Sequence, residues 1–106
     1  MGGAMNRIEI LTGFLQDDPN DSFSRYALAL EYVKIARNED ARREFETVRR
    51  NDPGYVATYL QLGQLYRTMG MEREAAQAFR DGIAVASKAG DSHTEGELQG
   101  ALEALG

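Results

Sequence analysis

Apolar side chains recur along this chain at helical spacing, and short polar breaks separate one run from the next. Leu28, Ala29 and Tyr32 stand at i, i+1, i+4 and so share one face of a helix. Ala41, Phe45 and Val48 form a second stripe at i, i+4, i+7, and Ala36 to Asp40 is the polar break between the two. Two amphipathic helices joined by so short a break form an antiparallel hairpin. Such a hairpin keeps one face that it cannot bury alone, and a second hairpin stacked on it removes that face from water.

The pattern repeats. Shifting the chain by 34 residues places Arg25 on Tyr59, Leu28 on Leu62, Ala29 on Gly63, Tyr32 on Tyr66, Ala36 on Gly70, Ala41 on Ala75 and Phe45 on Phe79. The same shift places Asp18-Pro19 on Asp52-Pro53. The small residues are the most informative of these. A glycine inside a helix costs about 1 kcal/mol relative to alanine, so Gly63 implies a close approach by a second helix. Ala41 and Ala75 read the same way on the second helix of each pair. Gly70 falls where the first helix closes and a left-handed residue is wanted.

The flanks extend the scheme. Residues 6–17 read as a helix in second-helix register, with Ile8, Leu11, Phe14 and Leu15 as its apolar stripe. The first helix of that pair is missing, which leaves apolar surface at the N-terminal end. Residues 92–105 read as a final helix with Leu98, Ala101, Leu102 and Leu105 on one face, and Ser92 to Glu95 fits a capping box. The expectation is therefore six helices and no strand. Residues 1–4, with Met5 as an alternative start, are set aside.

The second repeat reads Tyr59-x-x-Leu62-Gly63-x-x-Tyr66, then Ala75-x-x-x-Phe79. This resembles the tetratricopeptide repeat, and Pro19 and Pro53 match that family's closing proline. The departures are Arg25 for the large aromatic residue, Ala29 for glycine, Gly82 for the second-helix alanine and Ser87 for the last proline. The resemblance implies an all-α fold of antiparallel helix-turn-helix hairpins, stacked as a short right-handed superhelix. It gives one domain over residues 5–106: a half-repeat helix at 5–18, repeats at 22–55 and 56–89, and a capping helix at 91–105. It also implies a peptide-binding groove lined by the first helix of each repeat. The groove positions fall on Phe23, Tyr26, Leu30, Val33 and Lys34, and on Ala57, Leu60, Gln64, Arg67 and Thr68. Those singled out as ligand contacts are Tyr26, Leu30, Val33, Lys34, Leu60, Gln64, Arg67 and Thr68. Family members that clamp a chaperone's terminal carboxylate use lysine and asparagine in the groove. Tyr26, Leu30 and Gln61 stand at those positions here, so that clamp is absent.

Composition narrows the function further. With 42% hydrophobic and 27% charged residues, the 106-residue chain is globular in type. Its formal charge of −5 argues against nucleic acid and against an anionic membrane surface. No apolar run reaches the roughly 18–20 residues of a membrane span. The chain has no cysteine, which excludes thiolate chemistry and fits a reducing, cytoplasmic setting. Its single histidine, His93, lies in a helix start with no nucleophile beside it in sequence. Asp17, Asp18 and Asp21 fail the calcium-loop template, because Leu28 stands where the bidentate glutamate belongs. Arg42, Arg43, Arg49 and Arg50 alternate with Glu39, Asp40, Glu44 and Glu46, the pattern of an ion-paired solvent face rather than an RNA surface. The reading is a protein that is no enzyme and takes no metal or cofactor. It binds a peptide or protein ligand as an adaptor or scaffold, with a homodimer formed through the N-terminal helix as the alternative.

Overall fold

The computed structural model describes the backbone of residues 3–106 and the side chains from residue 6 onward. It contains six α-helices and no strand among the described residues: α1 (Gly3–Asp17), α2 (Ser22–Lys34), α3 (Asn38–Asn51), α4 (Ala57–Thr68), α5 (Glu72–Ala89) and α6 (Ser92–Ala104). They group into two compact units, Met1–Asp52 and Pro53–Gly106.

In the first unit α2 packs against both α1 and α3. Asp21 starts α2 by accepting hydrogen bonds from the Ser24 amide at 3.1 Å and the Ser24 hydroxyl at 2.6 Å. Beyond the end of α2, Ala36 takes the left-handed conformation at φ 60. There the Arg37 amide turns back to the Tyr32 carbonyl at 2.9 Å. On the α1 side Ile8, Leu15 and Leu28 form the core, with Leu11, Tyr32 and Ile35 against it. On the α3 side Ala29, Ala41, Phe45 and Val48 are buried. Phe14 departs from the expected stripe. It is 52% exposed, and Ile10 one turn earlier is 55% exposed. The core-facing arc of α1 runs through Ile8, Leu11 and Leu15, which leaves Phe14 on the flank.

The second unit repeats the hairpin in α4 and α5 and adds α6 across α5. Leu62, Gly63, Tyr66, Ala75, Ala78 and Phe79 are all buried, as their spacing requires. The reason for Gly63 is direct. A Cβ built on it falls 2.6 Å from Phe79 Cδ1 and 2.8 Å from Phe79 Cζ, so the phenyl ring occupies the space a side chain would take. Gly82 serves the same end on α5, where a Cβ would meet Tyr59 Cβ at 2.5 Å and Leu98 Cδ1 at 3.0 Å. Gly70, at φ 76, closes α4 as the sequence implies, and the Met71 amide reaches back to the Tyr66 carbonyl at 2.8 Å.

The two hairpins solve one problem with different residues. In the second, the Tyr59 hydroxyl donates to the Pro53 carbonyl at 2.5 Å. In the first, Arg25 stands at the equivalent position and donates to the Pro19 carbonyl at 2.9 Å, while its other arm pairs with Glu44 at 2.6 Å. The substitution of arginine for a large aromatic therefore keeps the tie to the preceding proline turn. At the C-terminal end the cap differs from the expected one. Asp91, not Ser92, caps α6 by accepting from the Thr94 amide at 3.1 Å. A carboxylate is the stronger acceptor at the positive end of a helix, and it displaces the frame by one residue.

Candidate functional site

The residues expected to meet a ligand lie on the two first helices, α2 and α4. On α2, Phe23 is 67% exposed and Val33 is 41% exposed. Lys34 is exposed as well, while Tyr26 and Leu30 are half-buried. Tyr26 is held from behind: its ring meets Phe45 edge-on, with centroids 5.8 Å apart and planes at 61°. An aromatic side chain fixed in this way loses little entropy on contact with a partner. Lys34 is partly neutralised at 3.0 Å from Glu31 Oε2.

Glu31 itself was not singled out from the sequence. Its side chain is only 8% exposed, and Arg7 approaches the same oxygen at 3.7 Å. Its other oxygen, Oε1, has no hydrogen-bond partner. The 34-residue shift places Glu31 on Leu65, which is buried, so a charge occupies a core position of the repeat. That equivalence, with the i, i+3 spacing to Lys34, was the available signal.

On α4, Gln64, Arg67 and Thr68 are exposed and Leu60 is half-buried. The Thr68 hydroxyl bonds back to the Gln64 carbonyl at 3.1 Å. Arg67 makes no ion pair or hydrogen bond through its side chain among the described residues, so its guanidinium is available to a carboxylate. On α2, Leu28 and Tyr32 pack on the α1 side; on α4, Leu62 and Tyr66 are buried; the candidate contacts lie at other positions of the two helices. The α2 arc is aromatic and aliphatic with one cation; the α4 arc is polar with one cation.

The other candidate chemistry resolves into ordinary surface structure. Arg42 bonds both Glu39 and Glu46, and Arg43 bonds Asp40, along the exposed side of α3. Partial desolvation opposes ionisation of Asp40. Hydrogen bonds from Arg43 and Arg37 outweigh it and hold the carboxyl below its usual range. His93 is exposed, 3.6 Å from Glu97. Among the described residues no group of three or more histidine, cysteine, aspartate or glutamate side chains is placed to hold a metal ion. No helix among them is long and apolar enough to cross a membrane.

Paired helices with a glycine notch on the first, a phenylalanine plug on the second and a left-handed closing residue define a helical-repeat protein. Known structures sharpen this. A crystal structure of a tetratricopeptide repeat domain protein from Salinibacter ruber matches with a TM-score of 0.77 at 38% identity, covering 80% of this chain and 94% of that one. A solution structure of a tetratricopeptide repeat domain protein from the same organism matches at 0.79 and 39% identity, over 83% and 89% of the two chains. A solution structure of a Bordetella parapertussis protein matches at 0.79 and 26% identity, over 92% and 85%. No family model and no curated protein matches the sequence. The chain belongs to the tetratricopeptide repeat family, whose helical hairpins serve as protein-interaction modules.

Proposed function

We propose that this chain is a non-enzymatic adaptor that holds a peptide or protein segment on the solvent-facing arcs of its first helices. Tyr26, Leu30, Val33 and Lys34 on α2, and Leu60, Gln64, Arg67 and Thr68 on α4, are the contacts. The observation that carries this reading is the apolar surface of α2: Phe23 and Val33 stand open to water beside a Tyr26 ring braced on the hairpin core. Large apolar side chains grouped in this way mark interaction surfaces. The formal charge of −5 and the internal pairing of Arg42 and Arg43 on α3 favour a protein ligand over nucleic acid. The cysteine-free composition supports a cytoplasmic location.

The test is a peptide selected against the chain from a random display library, with affinity read by fluorescence anisotropy. Val33→Asp combined with Arg67→Glu leaves the helical spectrum unchanged, because both positions are exposed, and weakens binding by at least about tenfold. Undiminished binding by that double variant removes the first-helix arcs from consideration.

A second reading has its own observation. Ile10 and Phe14, one turn apart on α1, are each more than half exposed and supply a contact for a second copy of the chain. Phe14→Glu then shifts a dimer to monomer in light scattering at micromolar concentration. A wild-type chain that is already monomeric there ends this alternative.

A further inference from the structure

Away from the first-helix arcs, the second unit carries an open cleft of about 560 Å³ between α5 and the end of α6. Its α5 wall presents Arg73, Ala76, Gln77 and Arg80, which share one helical face, and α6 supplies Leu102 and Leu105. Ala76 and the two leucines are half-buried and form an apolar floor, while both arginines are exposed.

Two unpaired arginines share this cleft. Arg7, Arg25, Arg37, Arg42 and Arg43 each pair with a carboxylate of the chain. Neither Arg73 nor Arg80 takes part in any ion pair or hydrogen bond among the described residues. Gln77, between them, is engaged with Asp81 at 2.7 Å. In a chain of net charge −5, two unpaired guanidinium groups flanking half-buried leucines are an uncommitted binding feature, and their charge selects an anionic ligand.

We propose that this cleft docks an acidic, leucine-bearing segment of a partner protein. Two carboxylates pair with Arg73 and Arg80, and an apolar side chain between them rests on Leu102 and Leu105. Seven residues of helix rise about 10 Å, which fixes the separation of the two carboxylates. A helical segment meets it with acids two turns apart; an extended one meets it with acids three residues apart, at about 3.3 Å per residue. A nucleic acid backbone fits less well. Glu72 also lines the cleft and repels a continuous run of phosphates, and such a run makes no use of the apolar floor.

The experiment uses the full chain and a fluorescein-labelled peptide with two pairs of acidic residues flanking two leucines. Wild-type protein binds it, and binding weakens at least about tenfold in the Arg73→Glu, Arg80→Glu double variant. Leu105→Asp, which leaves both arginines in place, causes a similar loss. Binding falls as salt rises through about 0.5 M, because exposed pairs are screened. The Val33→Asp, Arg67→Glu variant binds the probe as wild type does, which separates this cleft from the first-helix arcs. Equal binding by the arginine double variant overturns the proposal. So does equal binding of a peptide with serines in place of the leucines, or a single-stranded oligonucleotide that displaces the peptide at lower concentration than unlabelled peptide does.

Discussion

One substitution made at two glycines separates packing from helix propensity. Gly63 and Gly100 both lie inside helices, where exchange of glycine for alanine gains about 1 kcal/mol of intrinsic stability. At Gly100 nothing lies within 4 Å of the added Cβ, so Gly100→Ala raises stability by about 1 kcal/mol. At Gly63 the added Cβ meets the Phe79 ring at Cε1, Cδ1 and Cζ, the farthest of the three at 2.8 Å. Phe79 is fully buried, with Ala75 and Ala78 beside it also at 0% exposure, so the ring has nowhere to retreat. Overpacking of this kind costs about 1–3 kcal/mol, which cancels or exceeds the propensity gain. Gly63→Ala is therefore neutral to about 2 kcal/mol destabilising, and the two variants differ by about 1–3 kcal/mol. Adding Phe79→Leu to Gly63→Ala recovers part of the loss by removing ring atoms from the notch. Urea denaturation followed by circular dichroism at 222 nm measures all of these, with ΔΔG taken from the midpoints. If Gly63→Ala stabilises the chain as much as Gly100→Ala does, the notch-and-plug account of the hairpin is wrong.

Further outcomes follow from the same structure. Ala36 holds a left-handed conformation at φ 60, which costs an L-residue about 1–2 kcal/mol; Ala36→Gly raises stability in urea denaturation by a net of about 0.5–1 kcal/mol after the added chain entropy. Tyr66→Ala, at a buried position, lowers stability by about 3–5 kcal/mol in the same urea assay. Glu31→Leu restores the residue type found at the equivalent Leu65 and removes a buried carboxylate oxygen without a partner; it leaves stability unchanged or raises it, and a marked loss contradicts this reading. Hydrogen bonds from the Ser24 side chain and then its backbone hold the Asp21 carboxyl below the ordinary value of 3.8, and those from Thr94 do the same for Asp91. A depressed folded-state value means that this stabilisation is complete above the unfolded value and is lost as pH falls through the folded one. The urea midpoint therefore drops as pH is lowered from about 5 to about 2, and Asp21→Asn with Asp91→Asn flattens that drop.

The hairpins were legible because their signals are local and redundant. Gly63, Tyr66, Ala75 and Phe79 fix a helix pair through spacing alone, and Gly70 marks its closing turn with the one residue that adopts positive φ without strain. Where the structure departs, a competing local choice decided the outcome. Spacing alone predicts Phe14 in the α1 core, but Ile8, Leu11 and Leu15 already fill the arc against α2. Ser92 looked like the cap of α6, but Asp91 one residue earlier is the stronger acceptor. Glu31 signals its burial only through its equivalence to Leu65, since a carboxylate reads as a surface residue until Arg7 and Lys34 are placed beside it. The free arginines of α5 were hidden for the opposite reason: whether a cation is paired depends on which carboxylates the fold brings near, and the acidic residues adjacent in sequence do not settle that.

The claim that the solvent-facing arcs of α2 and α4 bind the ligand is tested most directly by residue-resolved NMR. A 15N-labelled chain is titrated with the display-selected peptide, and amide shifts are followed along all six helices. The account predicts the largest changes at Tyr26, Val33 and Lys34 on α2 and at Gln64, Arg67 and Thr68 on α4. Changes confined to α1, or to α3, with α2 and α4 unmoved, would contradict it.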